Sequence, residues 1–463
     1  MAADEWGSSH CGGVRVEKRV KTVHACCVSN KTESVFTTTD PTAILSRVFS
    51  LKDVRVLAYR REGPRQEIEI EQVSGEQRCR RCGARATVKD RPRVRYTDLP
   101  VYGRVMSLLW RKHRWRCPNE DCPAGTWTGR DRRIACANCR LTTRAARWAT
   151  EQVGRGRTVS EVAAELGCAW HTVNDAVTAY GSALLDADRR RLSATSAIGL
   201  DETSFVRHAR RRTSFVTTVC DVANHRIIDI VDSRDYVRVA AWIDQRPEGW
   251  RRGIRHATLD MSPSYRAVYD VMLPHAVQIA DRFHVIALAN RALDEVRRRV
   301  QQQRLGHRGR KRDPLYRIRR LLTMGEERLG DETAERLKTL LALGDPDGEV
   351  AIAHRAKERL RQYYRHQDPE QARDMLEELI ALCSGTAMPP ETRRLARTLS
   401  NWKPQILAFH QARLSNSVTE SMNNLIKRIK RIGYGFTSFT NYRVRCLLYA
   451  GKPNWRLLNN IYP

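Results

Sequence analysis

Three short apolar runs in this sequence each end in an acid: Ala197–Leu200 leads to Asp201, Ala257–Leu259 to Asp260, and Ala276–Ala280 to Asp281. A fourth acid, Glu420, falls early in the segment Ser415–Arg431. That segment reads as a helix with Leu425, Ile426 and Ile429 inside and Lys427, Arg428, Lys430 and Arg431 outside. Carboxylates supply the hard oxygens that Mg²⁺ prefers, and two such ions about 3.5–4 Å apart clamp the attacking and leaving oxygens of a phosphodiester. Asp201 and Asp260, at the ends of strands expected to be neighbours, can bridge two ions. Glu420 must arrive from elsewhere in the chain. Each acid also has a plainer reading. Glu202 could replace Asp201, although strand alternation turns the two to opposite faces. Asp221 could cap a hairpin, Asp281 could be structural, and Glu420 could be a solvated residue of a basic helix. One acid at a strand end means little; the ordered set of three carries the argument.

The cysteines form a second constellation. Cys79-x-x-Cys82 is followed by Gly83, which suits a tight turn, and Cys117 and Cys122 make a wider pair. Two such knuckles complete a tetrahedral Cys₄ site for a structural Zn²⁺. Apolar alternation at 86–89, 93–96 and 105–110 reads as strands beneath the knuckles, a zinc ribbon. The Lys and Arg residues between Arg78 and Arg116 then suit phosphates. A third pair, Cys136 and Cys139, could replace one knuckle, bind a second ion or be inert; an inert or auxiliary role is favoured. Cys26 and Cys27, being adjacent, are expected to be free thiols.

Between Thr158 and Val177 lies a helix-turn-helix pattern. Thr158 or Ser160 caps a short helix with Val162, Ala163 and Leu166 on its buried stripe, and Gly167 supplies the turn. In the second helix Val173 and Val177 face inward. Trp170, His171, Thr172 and Asn174 face outward near its start, where a recognition helix meets base edges. Arg144, Arg147, Arg155 and Arg157 give this unit a basic approach.

The elements that must position these groups fit the composition. The chain has 463 residues, 41% of them hydrophobic, with 82 Lys and Arg against 52 Asp and Glu and a formal charge of +30. Such an excess points to a polyanionic partner, and without an apolar stretch able to span a bilayer, nucleic acid is the better candidate. The start of the sequence has no apolar core of a secretory signal, and its cysteine usage suits a reducing compartment. A cytoplasmic protein is expected, and the resemblance described below implies a bacterial, nucleoid-associated one. The region 197–280 orders three antiparallel strands, a helix, a parallel strand, a helix and a further strand, which is the order of an RNase H-like α/β core. The expected fold is therefore a multidomain α/β chain, an RNase H-like catalytic core with an all-α insertion, preceded by a zinc ribbon and a helix-turn-helix. The expected limits are 1–40 for a disordered extension, 41–140 for the ribbon domain and 141–190 for the helix-turn-helix. The core is expected at 191–288 and 406–463, around an insertion at 289–405.

These segments, with Asp281-x-x-His284 and the run Arg431–Phe436, resemble the DDE transposases of bacterial insertion sequences, specifically the L-three group, from roughly 75 to 450. The resemblance implies that Asp201, Asp260 and Glu420 are the catalytic triad, and that Asp281 and His284 position DNA or the third acid. It also implies that residues 290–400 form the all-α insertion, whose basic run Arg297–Arg320 suits transposon-end DNA. The function implied is binding of terminal inverted repeats, then cleavage and strand transfer with two Mg²⁺ per active site. The partners are double-stranded end and target DNA and a second copy of the chain, as a dimer on paired ends. A domesticated, non-catalytic DNA-binding regulator is the rival reading, and an RNase H-like nuclease without transposition is a third.

Overall fold

A computed structural model of the chain describes residues 53–207 and 213–463, together with residues 40, 42, 43, 47 and 51. The expectations for 1–39, including the two thiols there, lie outside the described residues.

The N-terminal part holds β1 (Val54–Glu62), β2 (Arg65–Gln72), β3 (Thr87–Asp90), β4 (Arg93–Val101), β5 (Arg104–Arg111), β6 (Arg114–Arg116) and β7 (Thr126–Thr128). They form two sheets, β1-β2-β5-β4 and β3-β6-β7. The ribbon sheet therefore differs from expectation. Only β3 of the three anticipated strands lies under the knuckles, and 93–96 and 105–110 belong to the larger sheet. The reason is their length and amphipathicity. Tyr96, Met106, Leu108 and Trp110 need an apolar partner, and Ile68 and Ile70 of β2 supply it. The exposed side of that sheet pairs its charges. Glu67, Glu69 and Glu71 of β2 meet Arg95, Arg93 and Arg91 at 2.8, 2.9 and 2.8 Å. Much of the basic stretch 78–116 is thus balanced within the protein.

Next come α1 (Thr143–Gly154), α2 (Val159–Leu166) and α3 (Trp170–Ala187). Thr158 caps α2 in a reciprocal box with Glu161, and Gly167 ends it at φ 65°. Val162, Leu166, Val173 and Val177 are buried as the apolar spacing required.

The central sheet has the order β10-β9-β8-β11-β12, built from β8 (Ala197–Arg207), β9 (Thr213–Asp221), β10 (Arg226–Val231), β11 (His256–Leu259) and β12 (Val277–Ala280). The first three strands are antiparallel, and β11 runs parallel to both β8 and β12. Both faces are covered, which is why these strands read as continuous apolar runs. Alternation sends Ile198, Leu200 and Val219 to one face. There they meet α4 (Tyr236–Asp244), α6 (Pro263–Met272) and the start of α7 (Arg282–Leu305), with the short α5 (Glu248–Gly253) alongside. Val216, Cys220 and Ile230 go to the other face, against α14 (Ser417–Ile432), α15 (Phe439–Ala450) and the helix-turn-helix. The helix-turn-helix and the sheet thus share one core.

Between β12 and α14 the described chain is helical: α7, α8 (Pro314–Arg317), α9 (Asp331–Gly344), α10 (Glu349–Arg365), α11 (Pro369–Ser384), α12 (Pro390–Asn401) and α13 (Lys403–Ala412). A single helix, α7, runs through the expected core–insertion limit at 288/289. Its far half joins a separate cluster with Leu315, Ile318, Leu337 and Val350. The basic run there is partly structural, contrary to expectation. Arg297 is buried on Asp294 and Gln301, and Arg299 bridges Glu349 and Glu391. Arg308, Arg310, Lys311 and Arg312 remain exposed. Among the described residues no helix is long and apolar enough to cross a membrane.

Candidate functional site

Register brings the two aspartates together. β8 and β11 pair with Gly199 beside Thr258, so two residues further along each chain Asp260 comes beside Asp201. Strand periodicity turns Gly199, Asp201, Thr258 and Asp260 to the same face, the one covered by α14, and turns Glu202 away. Glu202 is exposed and pairs with Arg234 at 3.2 Å. One expectation is corrected: Asp201 does not end its strand, because β8 continues to Arg207. Pairing with β9 extends well past the point where β11 stops.

The aspartates are held by their surroundings. Burial raises the pKa of both. Burial and the neighbouring Asp201 charge push Asp260 up to about 7. The backbone N–H of Glu202 donates to Asp201 Oδ1 at 2.7 Å, and the Asn423 side-chain amide donates to Oδ2. The Asn416 amide donates to Asp260 Oδ1. Each asparagine is itself oriented: Thr258 Oγ1 donates to Asn416 Oδ1 and Thr218 Oγ1 to Asn423 Oδ1, both at 2.8 Å. Asp281, buried at the start of α7, accepts the Asn416 backbone N–H at 3.0 Å and lies 3.1 Å from His284 Nδ1. That nitrogen is also 3.3 Å from Asp260 Oδ1, and the bond to Asp281 raises the imidazole pKa. Asp281 and His284 therefore position the entry of α14 and one aspartate.

Glu420 lies one turn after Asn416 and one turn before Asn423, on the side of α14 that fronts the aspartates. Its carboxylate is exposed and makes no ion pair among the described residues. It does not join a close cluster of ligand atoms; the cluster at this place is Asp260, Asp281 and His284. The sequence reading missed Asn416 and Asn423, although their spacing around Glu420 on a helix (i−4, i+3) was the available signal. It also passed over Gly199. A Cβ there would stand 2.3 Å from Thr419 Oγ1 and 2.7 Å from Thr258 Oγ1, so only glycine lets α14 lie this close to β8. Asp221 is the hairpin cap of the plainer reading, accepting from Thr195 Oγ1 and from Asn224.

At the other end, Cys79, Cys82, Cys117 and Cys122 place four sulfurs within 4.8 Å of one another. The Cys79–Cys122 and Cys82–Cys117 separations are 3.7 and 3.4 Å. Four thiolates at Zn–S bonds of about 2.3 Å stand at similar spacings, so the donor set fits Zn²⁺. Backbone N–H groups of Cys82 and Arg81 pull the Cys79 thiol down to about 6. Cys136 and Cys139 stand apart: Tyr180 Oη donates to Cys136 Sγ at 3.2 Å in a buried packing contact.

The recognition surface is smaller than expected. Trp170 and His171 are exposed and Thr172 is half-buried, but the Asn174 side chain accepts from Asn441 of α15 at 2.8 Å. The basic approach is also engaged. Arg155 pairs with Glu151 and Arg157 with Glu165, both at 2.6 Å, Arg144 pairs with Asp98, and Arg147 donates to the Ile461 carbonyl. Lys427, Arg428 and Arg431 are exposed and make no ion pair among the described residues.

A family model described as "Transposase" matches residues 198–446, more than half of the chain, and one described as "Helix-turn-helix domain of transposase family ISL3" matches 134–181. The chain belongs to the ISL3 transposase family. The transposase for insertion sequence element IS1001 of Bordetella parapertussis is 27% identical over 369 residues, covering 77% of this chain and 85% of the relative. The transposase for IS1557 of Mycobacterium tuberculosis is 25% identical over 393 residues, covering 78% and 83%. This ISL3 member is a DNA transposase, a metal-dependent enzyme of DNA cleavage and transfer.

Two predictions follow from the geometry. Gly199→Ala should lower DNA cleavage about a hundredfold by lifting α14 from β8, while binding of end DNA through the helix-turn-helix persists; unchanged cleavage would contradict the close approach. Asp260 titrates about 7 when folded and near 3.8 when unfolded. The folded state therefore binds the extra proton between these values, and stability falls as pH rises through that window. Asp260→Asn should raise the melting temperature in chelator at pH 8, by about 2 °C, and Mg²⁺ should raise the wild type more than the variant. A lower melting temperature for the variant would sink this account.

Proposed function

We propose that Asp201, Asp260 and Glu420 are the catalytic carboxylates of an RNase H-like core that cuts and joins DNA at the terminal inverted repeats of an insertion sequence. The observation that carries this is the juxtaposition of Asp201 and Asp260 under α14, with Glu420 on the helix side that fronts them. The strand order β10-β9-β8-β11-β12 supports the RNase H-like assignment. On this reading residues 191–288 and 406–463 form the core, 289–405 its insertion, and 41–140 and 141–190 the DNA-recognition front.

Two buried carboxylates that repel each other are a donor set suited to a divalent cation. Two Mg²⁺ held by the three acids would activate water, and then a DNA 3′-hydroxyl, for in-line attack on phosphate. The chain's own groups prepare that chemistry. Asn423 and the Glu202 N–H fix Asp201, and Asn416 fixes Asp260. Asp281 and Thr258 fix Asn416, so the oxygens are oriented before substrate arrives. Lys427, Arg428 and Arg431 meet phosphates near the cut. Trp170, His171 and Thr172 contact the repeat, whereas Asn174 acts through Asn441. Arg155 and Arg157 shape the unit's surface from within ion pairs. Zn²⁺ on Cys79, Cys82, Cys117 and Cys122 holds the ribbon. Two copies on paired ends make the working assembly. The non-catalytic regulator is disfavoured, because all three acids are present.

The test is cleavage of labelled DNA carrying the element's own ends. Wild type with Mg²⁺ should cut at the ends, and Asp260→Ala should bind equally but cut on the order of a thousandfold slower. If both bind and neither cuts with Mg²⁺ or Mn²⁺, the regulator becomes the better account. Elemental analysis gives an independent check on the ribbon. One zinc per chain is expected, lost in Cys117→Ser and retained when Cys136 and Cys139 are both replaced by Ser; two zincs, or none, would overturn the assignment.

A further inference from the structure

Helix α14 has a second pattern beside the one that docks it. Glu420, Asn424, Lys427 and Arg431 recur at helical spacing and all four are exposed, forming one stripe that begins at the active site. Arg428 flanks it, 5.9 Å from the Tyr449 ring. The helix ends at Ile432, but the stripe continues into Tyr434, whose N–H donates to the Arg431 carbonyl at 3.1 Å.

Tyr434 is held in an unfavourable way. It is 96% exposed, and its φ of 50° is in the left-handed region, which side-chain-bearing residues seldom adopt. The turn that displays it is anchored from below. Phe436 is buried against Tyr442 at 5.3 Å between ring centroids, with the Arg445 guanidinium 5.2 Å from its ring. Gly433 admits that return, since a Cβ there would stand 2.6 Å from the Phe436 ring, and Gly435 (φ 106°) completes the turn. A large ring raised into water on an anchored turn buries almost none of its own surface, and beside cations that make no ion pair among the described residues it suits a nucleobase.

We propose that Tyr434 is a positioning residue of the transposition reaction. Its ring stacks on a base of the donor DNA end, and the stripe Asn424–Lys427–Arg431 follows the phosphates between that base and the cut. Twelve residues at 1.5 Å of rise carry the helix about 18 Å from Glu420 to Ile432, and the turn sets Tyr434 just beyond, so the stripe spans about six base pairs of duplex at 3.4 Å each. Helix α14 thus acts as a ruler, with the acids at one end and a base contact at the other. The proposal rests on the reading of Asp201, Asp260 and Glu420 as the cutting site.

The experiment uses the full chain and duplexes of the element's terminal repeat, with 2-aminopurine placed singly at each position from two to ten pairs inside the cut. Wild type, Tyr434→Ala, Tyr434→Phe and Tyr434→Trp are compared for fluorescence on binding, KM, kcat and cut position. Wild type should change the fluorescence at one position about six pairs in. Tyr434→Ala should abolish that signal, raise KM about tenfold and spread the cut over neighbouring phosphates. Phe and Trp should restore all three, which a merely structural role would not predict. The absence of any Tyr434-dependent position, or an unchanged KM and a single cut position in Tyr434→Ala, would overturn the proposal. Because fluorescence is read on binding alone, it decides the Tyr434 contact even if wild type fails to cut; that failure would count against the carboxylate reading instead.

Discussion

The close seating of α14 on β8 and β11 is the constraint on which this molecule's chemistry depends. Two carboxylates at the edge of a buried face repel each other, and burial adds to their cost. Without orientation they would turn away from one another or remain protonated. The helix prevents the first by placing an amide on each acid, Asn423 on Asp201 and Asn416 on Asp260. It can do so because Gly199 leaves room for Thr419, and because Thr258 and Thr218 hold the asparagine oxygens from the sheet side. The contact is polar on a face that is otherwise apolar, so both its register and its rotation are specified. A hydrophobic seam alone would tolerate sliding.

The charge distribution follows a similar economy. A net charge of +30 suggests a surface coated with cations, yet many arginines have carboxylate partners. Those on β4 neutralise the glutamates of β2, Arg299 of α7 ties α10 to α12, and those around the helix-turn-helix brace it. The unpaired cations of α14 stand out against that background. Desolvating an unpaired cation against phosphate breaks no internal bond, so it yields more binding than an arginine already engaged.

Much of the arrangement was legible in the sequence because it is written in local periodicity. The acids ending β11 and β12, the cap and turn of the helix-turn-helix, and the thiol spacing of the knuckles depend on neighbours a few residues away. Asp260 could be placed at a strand end from the apolar run of β11 alone, whereas its place beside Asp201 comes from the β8–β11 register. What escaped was set by contacts distant along the chain. Asn416 and Asn423 look like ordinary polar helix residues until the sheet beneath them is known. Asn174 reads as an outward base contact until Asn441 approaches from α15. The strands 93–96 and 105–110 lie next to the knuckles in sequence but are claimed by the apolar face of β2, which lies ahead of Cys79 in the chain.

The continuity of α7 has a mechanical consequence. The helix begins next to Asp281, whose carboxylate accepts the backbone N–H of Asn416, and its 24 residues carry Leu293, Val296 and Val300 into a second apolar cluster. An unbroken helix of that length, about 36 Å, transmits tilt with little bending. That second cluster is held by α7 and by α10, each of which runs into it from the core of the central sheet. Leu293, Val296 and Val300 in that second cluster are thereby joined through one continuous helix to the residue that holds Asn416 over Asp260.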